Sequence, residues 1–131
     1  MATSRITGTA ELRRKLAAAG PLAVTALAAA SVEEMEKVMA EAKARTPVDT
    51  GTLRASGHVA PPDVGASSVK VVAGFGGAAS DYAIVQHERL DFNHPGVGEP
   101  KFLERPFLER ARMMPRSLAR GVELALKRLG H

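Results

Sequence analysis

Cysteine and tryptophan are both missing from the 131 residues. Without cysteine there can be no disulfide, thiolate zinc site, iron–sulfur cluster or thiol nucleophile, and assembly in a reducing cytoplasm fits that lack. Aromatic side chains are scarce, with four phenylalanines and one tyrosine: Phe75, Tyr82, Phe92, Phe102 and Phe107. No uninterrupted apolar run reaches the roughly 18 residues of a membrane span, so no transmembrane helix is expected. The alanine-rich run over 21–30 lacks a basic flank and a following cleavage site, and a signal peptide is not expected either. Charge of one sign is also lacking over residues 1–103, where 11 basic residues meet 11 acidic ones.

Hydrophobic residues make up 45% of the chain, but 23 residues are alanines. Each alanine buries a single methyl group, so the core is thin, and further stability has to come from surfaces buried against other copies or partners. The length suits one domain over residues 1–131, with a short helix within 1–20 at its periphery.

The pattern reads helix, helix, loop, short strands, loop, helix. Thr7 or Thr9 is placed to cap the first helix, and Gly20-Pro21 ends it. The second spans residues 22–45. Val24, Leu27, Ala28, Val32, Met35, Val38, Met39 and Ala42 recur at spacings of three and four along one stripe. Glu33, Glu34, Lys37, Glu41 and Arg45 fall on the remaining surface, with Glu33–Lys37 and Glu41–Arg45 in the favourable i, i+4 order. Pro47 stops this helix. Strands are predicted over 57–60, 68–74 and 82–86, with Val69, Val71 and Ala73 facing inward. Residues 89–101 show no periodicity and read as a long surface loop with a job. A final helix runs from 105 to 129, with Pro106 in its first turn, Gly130 at its C-cap, and Pro115 kinking or splitting it. The sum is an α+β fold. A small antiparallel sheet of three or four strands is packed by a long helix from the N-terminal half and by a C-terminal helix.

The net charge of +4 belongs entirely to residues 104–131, which hold seven basic and three acidic residues. On an ideal helix Arg105, Arg112, Arg116, Arg120 and Lys127 share one face. Leu108, Ala111, Leu118, Val122, Leu126 and Leu129 share the neighbouring one and pack on the sheet. A solvated face is the ordinary meaning of such a pattern, and a site for an acidic protein or for phosphates is the sharper one. Glu109 and Glu123 interrupt the basic face, and no aromatics are interleaved for stacking on single strands.

Chemistry has few candidates. His87, Glu88, Asp91 and His94 are the one ligand-type cluster, but adjacent strand residues point oppositely and the sequence is not His-Glu-x-x-His. Hydrogen bonds anchoring the loop account better for His87 and His94. Gly74-Phe75-Gly76-Gly77 is followed by a strand rather than a helix with Lys-Ser/Thr, so it reads as a hairpin connection and not a phosphate loop. No serine sits in a nucleophile-elbow sequence. Neither a catalytic residue, a metal nor a cofactor is called for.

The most specific stretch is Thr46-Pro47-Val48-Asp49-Thr50-Gly51-Thr52-Leu53-Arg54-Ala55-Ser56. Pro47 ends the helix, Asp49 or Thr50 caps the next turn, Gly51 permits unusual backbone angles, Leu53 plugs the helix–sheet junction and Arg54 faces outward. Further on stand Tyr82-Ala83, His94-Pro95-Gly96 and Phe102-Leu103-Glu104-Arg105-Pro106. With these landmarks in order, the chain resembles the tail-completion or neck proteins of long-tailed bacteriophages over about residues 32–126.

The resemblance implies a non-enzymatic virion subunit at the head–tail junction, in a small α+β fold that needs no cofactor. It implies a ring, hexameric or matched to the portal, built in the host cytoplasm. Its partners would be other copies, head-completion or connector proteins, and tail-tube or terminator proteins. Genomic DNA would pass nearby without specific binding, and no membrane is involved. Phe92, Asn93, His94 and Pro95 in the loop, with Arg112, Arg116 and Arg120, are the candidate assembly contacts. A tail terminator or minor head-associated protein is the neighbouring alternative, and a small basic DNA-binding protein the alternative of another class.

Overall fold

The computed structural model describes residues 8–45, 55–75, 81–88, 91–92, 96–97 and 104–130. Helix α1 covers Thr9–Ala19, a 3-10 turn covers Gly20–Leu22, and α2 runs through Ala23–Arg45. The sheet comprises β1 (His58–Val59), β2 (Asp63–Val64), β3 (Ser68–Phe75), β4 (Asp81–Glu88), β5 (Asp91–Phe92) and β6 (Gly96–Val97). Two helices follow, α3 (Glu104–Ala111) and α4 (Met114–Arg128).

β3 and β4 form the long antiparallel pair at the centre, from Ser68 opposite Glu88 to Phe75 opposite Asp81. β1 and β2 share the outer edge of β3, while β5 and β6 share the far edge of β4, all antiparallel. Pro61-Pro62 falls between β1 and β2 on that edge, where a missing N–H breaks no central ladder. The alternation read for β3 holds: Val69, Val71, Ala73 and Phe75 are buried, and Lys70 is exposed. Three short strands were not expected. β2 and the two strands within 89–101 are each two residues long, too short for a period, and their pairing is set by the long strands beside them.

Glycine, not threonine, caps α1. Gly8 is left-handed at φ 86, its carbonyl accepts from the Leu12 N–H at 3.0 Å, and Thr9 is the first helical residue; Thr7 lies outside the described residues. A Cβ on Gly8 would sit 2.9 Å from the Arg116 Cβ, so glycine also lets this end of α1 lie against α4. The helix is not peripheral in its packing, since Leu12, Leu16 and Ala19 are buried in the main hydrophobic cluster.

By length, and by its most apolar 18-residue stretch, the helical run Thr9–Arg45 would pass for a membrane span. Here its large apolar residues, among them Leu12, Leu16, Leu27, Met35, Val38 and Met39, are spent on the core. The chain also turns at Gly20, φ 58.

Pro115 splits the C-terminal helix at the turn 112–113 and takes a place in the first turn of α4, where its missing N–H is harmless. The break resets the helical phase. Leu108, read as core, is therefore 49% exposed, and Leu129, beyond the last turn, is 48% exposed. Ala111, Leu118 and Val122 are buried as expected. The layering also differs from the expectation that both long helices lie on the sheet. α2 crosses β3 and β1, whereas α4 takes its packing chiefly from α2 and α1.

Of the 25 buried apolar residues described, 11 are alanines. Small side chains let the helices approach closely, most tightly where α4 crosses α2. A Cβ on Gly121 would lie 2.9 Å from the Ala30 Cβ, itself fixed to a helix backbone. Gly121→Val is expected to lose about 1–3 kcal/mol of stability by overpacking, measured by urea titration. An unchanged midpoint would mean that the crossing is loose.

Candidate assembly surfaces

Most of the motif segment lies outside the described residues: Pro47, Asp49, Thr50, Gly51, Leu53 and Arg54 belong to the connection between α2 and β1. Tyr82 is the second residue of β4, opposite Gly74. Pro106 is buried in the first turn of α3. Phe92 belongs to β5, opposite His87, while Asn93, His94 and Pro95 lie outside the described residues.

The basic residues are not on one continuous face. Arg105 belongs to α3 and Arg112 to the turn, so the break at Pro115 separates both from α4. What remains is a stripe on α4. Arg116, Arg120 and Lys127, spaced four and seven apart, are all exposed, and none has an ion pair among the described residues. The acidic residues expected to interrupt the pattern are engaged by other elements. Glu123 meets Lys15 of α1 at 3.2 Å, and Glu109 accepts from Arg45 of α2 at 2.9 Å.

Glu34 was read as surface, yet it is 3% exposed. Arg110 of α3 donates to its Oε1 at 3.0 Å and Lys37 to its Oε2 at 3.4 Å. A charge this buried persists only because both oxygens are served. Lys37 thus pairs with Glu34 rather than with Glu33, whereas the Glu41–Arg45 pair forms as expected, at 3.1 Å. With Arg45–Glu109, the Glu34–Arg110 bridge ties α3 to α2 by two charged contacts. A signal was available in the sequence: Glu34 stands seven residues after Leu27 and four before Val38, in phase with the buried stripe.

His87 is held by a helix. The ring faces inward from β4 with no exposed surface, and its Nε2 shares a 3.3 Å hydrogen bond with Ser31 Oγ on α2. Burial pushes its pKa down from 6.5 to about 4, so it is neutral near pH 7. The imidazole is thus committed to the helix–sheet interior, and His94 lies outside the described residues. Among the described residues no group of three or more His, Asp or Glu is placed to hold a metal ion.

Taken together, the geometry is that of a small α+β building block whose distinctive chemistry lies on its surface: a basic stripe, exposed apolar points and strands added at a sheet edge. The family described as "Bacteriophage HK97-gp10, putative tail-component" matches residues 10–85, more than half of the chain. The chain belongs to that family and so to the structural components of the phage particle. The match spans α1 to β4. It begins earlier than the expected resemblance and ends before the His-Pro-Gly and Phe-Leu-x-x-Pro landmarks, so the N-terminal helix is more diagnostic than its sequence suggested. Neither the curated proteins nor the solved structures contain a match to the chain.

Proposed function

We propose that the protein is a neck subunit that completes the tail and joins it to the head, working as a ring between portal-side and tail proteins. Membership in a phage tail-component family carries this reading. Two features of the chain support it. The core is rich in alanine, so a good share of burial is left to contacts between subunits. α4 also presents the exposed cations Arg116, Arg120 and Lys127, none with an ion pair among the described residues. Within the ring, Arg116 and Arg120 of α4, with Arg112 in the preceding turn, face acidic surfaces of neighbouring proteins. Phe92, on the strand that borders β4, contacts an adjacent subunit together with Asn93, His94 and Pro95. Pro47, Asp49, Thr50, Gly51, Leu53 and Arg54 serve the fold by connecting α2 to the sheet, as do Tyr82 and Pro106. No cofactor takes part, and DNA passes without sequence-specific contact.

Electron microscopy of lysates from a phage deleted for this gene tests the assignment. Separate filled heads and finished tails are expected, with joining restored when the gene is supplied in trans. Tails of uneven length would indicate a terminator instead, and normal joined particles would overturn any role at the junction.

A further inference from the structure

We infer that the break between α3 and α4 is a docking surface for a different, acidic protein of the particle, one that offers carboxylates around an apolar hollow. The inference rests on the neck reading and deepens it by naming the chemistry of a partner. Arg105, Leu108, Arg112, Met113 and Arg116 are all exposed. Arg105 and Leu108, three apart on α3, are surface neighbours. Arg112 follows four residues after Leu108, in the turn, and Met113 stands three before Arg116. The phase change at Pro115 thus leaves two large apolar side chains in water, Leu108 before Arg112 and Met113, 46% exposed, after it. Neither Arg105 nor Arg116 has an ion pair among the described residues. Glu109, next to Leu108 in sequence, is already held by Arg45 at 2.9 Å.

Two apolar side chains framed by guanidinium groups have the anatomy of an interface centre and its polar rim. Covering Leu108 and Met113 removes apolar area from water, and the arginines around them set the charge that the partner carries. A second copy of this chain does not supply that charge. Residues 1–103 balance 11 basic against 11 acidic residues, and every exposed acid whose side chain is described stands near a cation. Glu33 and Glu36 are beside Lys37 on α2, Asp63 is opposite Lys70, and Glu41, Glu109 and Glu123 are already paired. Nucleic acid supplies the charge without the hollow: phosphates would meet the arginines and leave Leu108 and Met113 in water. A protein surface with both features is the occupant that satisfies the whole patch.

Photo-crosslinking in assembling particles is the test. A phage deleted for this gene is complemented by the full chain carrying p-benzoylphenylalanine at position 108 or 113, and the infected cells are irradiated. An adduct is expected with a protein other than this chain, at a segment of net negative charge, and Arg105→Glu should lower its yield by about tenfold. The same photoprobe at position 64, exposed on β2, should not give that adduct. An adduct with this chain, with DNA or with a basic segment, or no adduct at all, would overturn the proposal. Leu108→Asp supplies the functional arm. It should cut the yield of joined particles by about tenfold or more while the purified chain keeps its urea midpoint, and Arg105→Glu carries the same expectation should that midpoint fall. If deleting the gene separates heads from tails but both variants join them normally, this inference fails and the neck reading stands. If the deletion leaves particles joined, the neck reading fails and takes this inference with it.

Discussion

Phe107→Ala is expected to cost about 3–5 kcal/mol, the range for truncating a buried aromatic, and to lower the melting temperature by roughly 12–20 °C. Phe107 heads the fully buried side chains by volume, with no exposed surface. It sits in α3, which is eight residues long, and a helix that short does not hold its shape in water on its own. Docking is what orders it, and beyond the two bridges to Glu34 and Arg45 that docking rests on Phe107, Pro106 and Ala111. The exposed Arg45–Glu109 bridge contributes little, typically about 0–1 kcal/mol, and the gain of the Glu34–Arg110 bridge is offset by burying the carboxylate, so the phenylalanine dominates the apolar part of the docking. Leu108→Ala is the control: the next residue in sequence, 49% exposed, should change stability by no more than about 0.5 kcal/mol. Equal losses from the two substitutions would show that α3 is not seated as described.

Acid should destabilise the protein through His87. Its folded pKa of about 4 lies below the 6.5 of an exposed histidine, so between those values the unfolded chain binds a proton that the native state refuses. Stability is then fully present above pH 6.5, declines as the pH falls toward 4, and levels off below it. The total loss from this residue is about 3 kcal/mol. Carboxylates titrate in the lower part of the same window, so the informative quantity is a difference. His87→Phe keeps an apolar ring under α2 and removes the titration, and Ser31 can turn its hydroxyl to a helix carbonyl. Urea titrations of both proteins from pH 7.5 to 4 should diverge, as only the parent sheds that increment. Parallel curves would mean that water reaches the imidazole.

Periodicity made the long elements legible. The stripe from Leu27 to Ala42 located α2 within a residue, and the alternation of Val69, Val71 and Ala73 located β3, because each repeats its signal several times. Pro115 announced the split, but not its consequence for Leu108, since a helix break changes the phase of the residues before it relative to those after it. β2, β5 and β6 were illegible because a two-residue strand borrows its conformation from a neighbour. Glu34 was read as surface, and the partner of His87 was not identified, for a shared reason. A polar residue type argues for the surface unless its partner is known, and Arg110 and Ser31 lie 76 and 56 residues away. The surface was legible only in part. Composition located the cations, while the groove between α2 and α4, with Glu33 and Lys37 on one side and Arg120 on the other, depends on the crossing of two helices distant in the chain.

α2 stands between the sheet on one flank and α4 on the other, which makes it a party wall. A substitution on the outer face of α4 changes the charge shown to a neighbour and reaches the sheet chiefly by displacing α2. The close contact at Ala30 and Gly121 leaves α2 little room to yield without a measurable loss of stability. The two flanks can therefore diverge at different rates. The exposed positions of residues 104–130 can change while α2 and β3 keep the same interior, and chimaeras cut just before Glu104 should fold where the incoming segment keeps Phe107, the Arg110 that serves Glu34, and Gly121 opposite Ala30.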